Sequence, residues 1–292
     1  MHTIMSMKSP IVNIAGYKFV SLDELETRRD RMLAACRELD LKGTILLSHE
    51  GINLFLAGTP AAVDRFLAVL HADAALADFE VKVSPGDHQP YSRMLVKIKD
   101  EIIAFGVEGI DPEKYTSARI SPIELKQWLD EGRPVKLLDT RNDYELAVGT
   151  FAGAIDMHLD DFRNFPQAVE KLPSTLKDDV VVTFCTGGIR CEKAAPYLER
   201  EGFKNVLQLD GGILKYFEEC GDAHYDGECF VFDKRVAVDA TLHETDTSYC
   251  FVCQATLYPQ DRESDKYEFG KSCPYCWTRP EEQRAMRVEQ RN

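Results

Sequence analysis

No apolar run in this chain approaches the roughly 18 residues that cross a membrane, and the N-terminal stretch lacks the charged-then-apolar pattern of a secretory signal. Both absences argue against a membrane protein and make the cytoplasm the expected compartment. Positive charge is also short: 35 Lys and Arg stand against 49 Asp and Glu, a net charge of −14. A chain this acidic repels polyanions at long range, which counts against nucleic acid as a partner unless a local basic face exists. There is no nucleotide or flavin fingerprint, no histidine spaced from His49 as a ligand pair, and no facial-triad spacing for iron. Nine cysteines are present. In a reducing compartment they read as metal ligands or catalysts, not as a disulfide framework.

At 292 residues the chain suits two or three domains. After about ten patternless residues, Ile11–Val20 alternates as a strand. Ser21-Leu-Asp-Glu24 reads as a capping box for a helix over Leu22–Leu39. Strands follow at Gly43–Ser48 and Asn53–Ala57, joined by a tight connection at His49–Asn53. A helix capped by Thr59 starts at Pro60 and ends near His71, and a further strand covers Phe79–Ser84. The order βαββαβ predicts a ferredoxin-like sandwich over residues 1–110, extended by Met94–Phe105. Glu50, Gly51 and Asn53 are ordinary turn residues on this reading. The polar, Gly- and Pro-broken stretch Val107–Thr116 suits a linker.

From Ser121, the cap of a helix that starts at Pro122, strands and helices alternate through Val135–Asp139, Ala154–Met157, Phe162–Leu172, Val180–Phe184, Cys191–Glu201, Val206–Leu209 and Ile213–Glu219. That pattern predicts an α/β domain with a parallel sheet over residues 120–225. Its centre is Val180–Cys191. A β-branched run ends on Cys185, passes through Thr186, Gly187, Gly188, Ile189 and Arg190, and enters a helix at Cys191. Such sheets place ligands at the carboxyl ends of their strands. Backbone N–H groups, the helix dipole and Arg190 all favour the thiolate of Cys185, and the glycine pair allows a nest for an anion or a persulfide. Asp139 and Arg141 leave a neighbouring strand end, and two readings stay open for them: a structural ion pair, or a second cation for the sulfur. Cys191 is either a resolving thiol for an oxidised Cys185 or a helix residue without a role.

Over residues 226–292 the composition changes. A strand is predicted at Phe230–Val236, and Cys250-x-x-Cys253 and Cys273-x-x-Cys276 follow with 19 residues between the pairs. Two such knuckles supply four thiolates for one tetrahedral ion and would staple a segment too small to bury a core of its own. Zinc is expected, with a rubredoxin-type iron site as the alternative. Cys220 and Cys229 are competing ligand candidates, and Cys36 is read as core. Arg279, Arg284, Arg287 and Arg291 give the tail a weak positive bias.

The Cys185–Cys191 loop resembles the active-site loop of rhodanese domains, in which a cysteine carries a persulfide. Leu137–Arg141 with Tyr144-Glu145 and Gly149–Ile155 is similar to the first signature of that domain. Leu209–Ile213 is similar to its last, with Tyr216 where many members have tryptophan. Together with the His49–Asn53 turn and the cysteine-rich tail, the order of motifs resembles the bacterial rhodanese-like tRNA uridine hydroxylases along nearly the whole chain. The resemblance implies oxygen-dependent conversion of a tRNA wobble uridine to 5-hydroxyuridine, with Cys185 as the reactive residue, molecular oxygen and an electron donor as further partners, and the anticodon loop held by the N-terminal domain and the cysteine tail. It also implies a substrate contact at the His49–Asn53 turn. The residues themselves leave open a sulfurtransferase working through Cys185, or a non-enzymatic RNA- or protein-binding scaffold.

Overall fold

The computed structural model describes residues 10–253 and 255–278, so the arginines from Arg279 onward lie outside the described residues. Strands β1 (Ile11–Phe19), β2 (Lys42–Ser48), β3 (Gly51–Gly58) and β4 (Lys82–Gly86) alternate with helices α1 (Leu25–Glu38) and α2 (Pro60–His71) in the predicted βαββαβ order. A further strand, β5 (Met94–Ile98), pairs parallel to β2 and completes a sheet ordered β4-β1-β3-β2-β5. Alternation along the strands turns Val12, Ile14, Leu54 and Leu56 toward the helices, where they pack with Met32 and Phe66. The opposite face carries Tyr17, Phe55 and Lys82. The register sets Ala15 between Lys82 and Phe55, and Tyr17 beside Asn53.

Local sequence sets most helix starts. Thr59 accepts the Ala62 N–H at 3.3 Å with Pro60 following, and Ser121 accepts the Glu124 N–H at 3.2 Å. The capping box predicted at Ser21–Glu24 does not form. The N–H groups of Val20 and Leu22 bond the Glu50 and His49 carbonyls at 3.0 and 3.1 Å, which lays this segment along the β2–β3 turn. Helix α1 starts at Leu25 after a left-handed Glu24, while the Ser21 hydroxyl donates to Glu113 at 2.6 Å. The strand predicted from Phe79 begins only at Lys82, because the Phe79 N–H turns back to Leu76 at 3.0 Å.

The second sheet joins β6 (Arg119–Ile120), β7 (Val135–Asp139), β9 (Ile155–Asp156), β10 (Val180–Phe184) and β11 (Asn205–Leu209), in parallel and in the order β6-β11-β10-β7-β9. Around it lie α3 (Pro122–Asp130), α4 (Asp143–Leu146), α5 (Phe165–Val169), α6 (Cys191–Arg200) and α7 (Gly212–Cys220); the short β8 (Gly149–Phe151) pairs with β12 (Tyr225–Gly227). The helix predicted over Phe162–Leu172 is split into a 3₁₀ turn at Phe162–Asn164 and the short α5, with Pro166 near the junction. Phe105, on the stretch leading out of the first sheet, is buried here and stacks on Phe162 with ring centroids 4.9 Å apart. The intervening segment is therefore packed: Val107 and Ile110 lie against the same core.

The strand predicted at Phe230–Val236 is instead a hairpin, β13 (Cys229–Phe230) paired with β14 (Ala237–Val238). Its turn is held by Asp233, which accepts the Arg235 N–H at 2.9 Å and its guanidinium at 2.7 Å, with Val236 left-handed at φ 62°. Beyond it lie β15 (Ser248–Tyr249), β16 (Thr256–Leu257) and α8 (Pro259–Arg262). Among the described residues no helix is long and apolar enough to cross a membrane.

Candidate active site and cysteine cluster

Strand β10 is buried up to Phe184 and delivers Cys185 to the carboxyl edge of the parallel sheet, between β7 and β11. The loop then folds around the sulfur. Gly188, at φ 101°, donates its N–H to Cys185 Sγ at 3.1 Å, and the Arg190 N–H and the Cys191 thiol also point at it. A second pair of glycines holds the loop from behind. Gly211 and Gly212 have φ of 71° and 67°, and a Cβ on Gly212 would meet the Cys185 carbonyl oxygen at 2.4 Å. That close approach lets the Ile213 and Leu214 N–H groups, at the start of α7, bond the Cys185 and Thr186 carbonyls at 3.0 Å each.

Burial opposes ionisation of Cys185, which is 0% exposed. The Cys191 hydrogen bond, the Arg190 charge and the Arg190 and Gly188 N–H groups outweigh that cost, and the thiol falls from its ordinary 9.0 to about 5. Cys191 moves the other way, well above its ordinary value, because it is buried and donates to the ionised sulfur. The electrostatics thus favour a thiolate at Cys185 beside a neutral thiol at Cys191.

The two arginines are held by carboxylates. Arg190 grips Glu145 at 2.5 and 2.7 Å, and Glu145 also accepts from Asn142 N–H at 3.1 Å and from Thr186 Oγ1 at 3.3 Å. Burial raises the Glu145 carboxyl, but the Arg190 charge and hydrogen bonds carry it below the ordinary value. Of the two readings open for Arg141, the geometry carries the structural ion pair: its guanidinium is bound by Asp139 at 2.7 and 2.9 Å and by the Gly149 carbonyl at 2.7 Å, with both side chains fully buried. It ties the end of β7 to β8. Tyr216, the departure from tryptophan, is buried and donates to the Ala223 carbonyl at 2.8 Å.

The sequence reading missed what covers the loop. The outer face of the first sheet lies against it: Lys82 Nζ donates to the Gly187 carbonyl at 3.0 Å, and Tyr17 donates to Glu192 at 2.9 Å. A Cβ on Gly188 would come within 2.9 Å of the Tyr17 hydroxyl. The signal was present in the alternation of β1 and β4, which puts both residues on the face away from the helices. The His49–Asn53 turn is used as a clasp. Glu50 and Glu101 both bind Lys193, on α6, at 2.8 Å; Glu50 also accepts the Ile102 N–H at 2.7 Å, and Asn53 donates to the Ile102 carbonyl at 3.1 Å. Lys193 is 1% exposed, so two charged elements of the first sheet region anchor directly on the helix that follows the reactive loop.

The four tail cysteines converge. Sulfur separations are 3.8 Å for Cys250–Cys276, 3.6 Å for Cys253–Cys273 and 3.7 Å for Cys273–Cys276, and all four ligand atoms lie within 4.8 Å of one another. A tetrahedral ion with metal–sulfur bonds of about 2.3 Å has edges of about 3.8 Å, so the donor set fits one metal ion. The knuckle N–H groups of Val252 and Cys273 donate to Cys250 and Cys276, each at 3.4 Å. Cys220 and Cys229 are not part of this cluster. Both pack with the core of the parallel sheet, and burial pushes Cys229 up to about 12. Cys36 is core as predicted, also pushed up to about 12 by burial.

Two family models match, a UPF0176 acylphosphatase like domain at residues 11–102 and a Rhodanese-like domain at residues 121–219. Over 271 residues the chain is 52% identical to a tRNA uridine(34) hydroxylase of Cupriavidus necator, covering 91% of this chain and 96% of that relative. Relatives of the same name match at 48% in Ralstonia nicotianae, with the same coverage, and at 49% over 275 residues in Burkholderia cenocepacia, covering 91% of this chain and 97% of the relative. With nearly full-length similarity on both sides, and with the acylphosphatase-like sheet and the rhodanese loop in contact, this chain belongs to the tRNA uridine(34) hydroxylase family.

Proposed function

We propose that this protein hydroxylates uridine 34 of tRNA to 5-hydroxyuridine, with molecular oxygen as the oxygen source, a separate electron donor, and Cys185 as the reactive group. The observation that carries the reading is 52% identity over 271 residues to a tRNA uridine(34) hydroxylase. The loop chemistry supports the choice of residue: a thiol at about 5 is ionised at neutral pH without the help of a separate base. Arg190, through its pair with Glu145, fixes the loop, and Thr186, Gly187, Gly188 and Ile189 form the anion-binding curve. Cys191, the buried thiol that opens the helix after the loop, is the resolving thiol for an oxidised Cys185 on this reading. Zinc held by Cys250, Cys253, Cys273 and Cys276 is structural, stapling the tail that helps hold the anticodon loop. The protein acts in the cytoplasm, as three units at residues 1–110, 120–225 and 226–292.

A sulfurtransferase reading has its own support, since an activated thiolate in a nest of N–H groups also suits sulfane sulfur. The test is nucleoside mass spectrometry of tRNA from cells lacking this protein and complemented with wild type or with Cys185→Ala. The hydroxylase reading requires 5-hydroxyuridine at position 34 with wild type only. Thiosulfate-derived persulfide on Cys185, with modified uridine unchanged by Cys185→Ala, would transfer the assignment to sulfur transfer.

A further inference from the structure

A second cation, outside the loop motif, stands near the reactive sulfur beside Arg190. Arg190 lies in the loop, but Glu145 binds both of its terminal nitrogens, at 2.5 and 2.7 Å. At the sulfur, such a pair acts more as a dipole than as a free positive charge. Arg141 is likewise neutralised by Asp139. Among the ion pairs of the described residues Lys82 has no carboxylate partner. Its ammonium is largely buried between the two sheets, donating to the Gly187 carbonyl at 3.0 Å and lying 5.8 Å from the centre of the Tyr17 ring.

The groups around Cys185 and Lys82 can be taken element by element. On α6, Cys191 stays a neutral thiol and Glu192 is bound by Arg119 at 2.7 Å and by the hydroxyls of Tyr17 and Thr116. On β1, burial, then the Glu192 and Cys185 charges, hold the Tyr17 phenol well above its ordinary value, so it stays neutral. Between β11 and α7, Asp210 is taken by Lys215; the Asp210 charge raises Lys82, the Lys215 charge opposes it, and Glu80, two residues before β4, pulls more weakly. Burial lowers Lys82, and the Cys185 charge is the first opposing influence. The thiolate is thus the chief counter-charge of this ammonium.

We propose that Lys82, delivered from the N-terminal sheet, adds a positive charge without a carboxylate partner to the groups that stabilise an anion on Cys185, so that the anion site on the sulfur is shared by two domains. The Gly187 hydrogen bond sets its place: one donor holds the loop carbonyl two residues beyond Cys185. A sulfur-borne anion, thiolate or persulfide, is the ligand class it serves. Whether the sulfur then passes to hydroxylation or to sulfur transfer makes no difference to this role.

The experiment is a pH titration of Cys185 in the full-length protein labelled with ¹³Cβ-cysteine, whose carbon shift reports ionisation without requiring a reagent to enter a buried site; Cys185→Ser assigns the signal. Lys82→Met keeps the aliphatic stem against Tyr17 and removes the charge, and Lys82→Arg restores it. An opposite charge within about 4–6 Å shifts a pKa by about 1–3. The Lys82→Met midpoint should therefore rise by about one pH unit or more above wild type, with Lys82→Arg returning near wild type. A Lys82→Met midpoint within about 0.3 of wild type, or a rise that Lys82→Arg fails to reverse, overturns the proposal. Should Lys82→Met fail to fold, the wild-type Lys82 Nζ titration, read by ¹⁵N-lysine shifts with and without Cys185→Ser, decides the matter. The ammonium must lose its proton at lower pH once the thiolate is gone, and an unchanged value overturns the assignment.

Discussion

Replacing Glu145 with glutamine separates two effects that usually travel together. The carboxylate is fully buried and accepts four hydrogen bonds, two of them from Arg190 at 2.5 and 2.7 Å. Glutamine keeps the shape but turns one of the Arg190 contacts into donor against donor and leaves the guanidinium buried without a counter-charge. Breaking a buried pair in this way costs about 3–5 kcal/mol. At roughly 2–4 °C per kcal/mol for a domain of 150–250 residues, that is a fall in Tm of about 6–20 °C. The sulfur responds in the opposite sense. Freed of Glu145, Arg190 presents a whole charge to Cys185, so the thiol should titrate below its wild-type value of about 5. Calorimetry and the ¹³Cβ titration read the two effects on one sample. A less stable protein with a more acidic Cys185 is the expected pair; a thiol that becomes less acidic would refute the view that Glu145 damps the Arg190 field.

Three other outcomes follow from the same geometry. Because Cys185 is depressed to about 5 when folded and lies near 9 when unfolded, stability should increase with pH across that window and the ionisation contribution should be lost as pH falls through about 5; Cys185→Ser should flatten the slope in denaturant titrations. Chelation, or Cys253→Ser, should unfold the tail while sparing the main thermal transition, because the buried core there is only Cys250, Leu257 and Cys273; elemental analysis should give one metal ion per chain. Lys193→Met leaves Glu50 and Glu101 facing each other without a cation, at a cost of about 3 kcal/mol, and should speed Cys185 alkylation severalfold by loosening the first sheet from the loop.

The parallel sheet was legible because its strands are short β-branched runs bounded by turn residues, and Val135–Asp139 and Val180–Phe184 carry the same limits in sequence and structure. Cys185 was legible for the same reason, since a cysteine at the end of such a strand followed by two glycines has few structural uses. Long-range competition hid the rest. Ser21–Glu24 has the residues of a capping box, yet its backbone gains more from the carbonyls of His49 and Glu50, which no local window contains. Arg141 and Arg190 look alike in sequence, both cations near strand or loop ends. Only the positions of Asp139 and Glu145 reveal that each is already neutralised.

That last point gives the N-terminal sheet a part in the site. A rhodanese-type loop supplies backbone donors by itself, and here its arginine is matched by a glutamate from α4 of the same domain. The outer sheet face brings the remaining charge, Lys82, and a neutral phenol, Tyr17, and it excludes water from a sulfur that is 0% exposed. In the low dielectric so created, an ammonium near the sulfur acts more strongly than it would in water. The Lys193 clasp on Glu50 and Glu101 ties the same sheet region to the helix that follows the loop, so Lys193→Met should change the acidity of the thiol and access to it together.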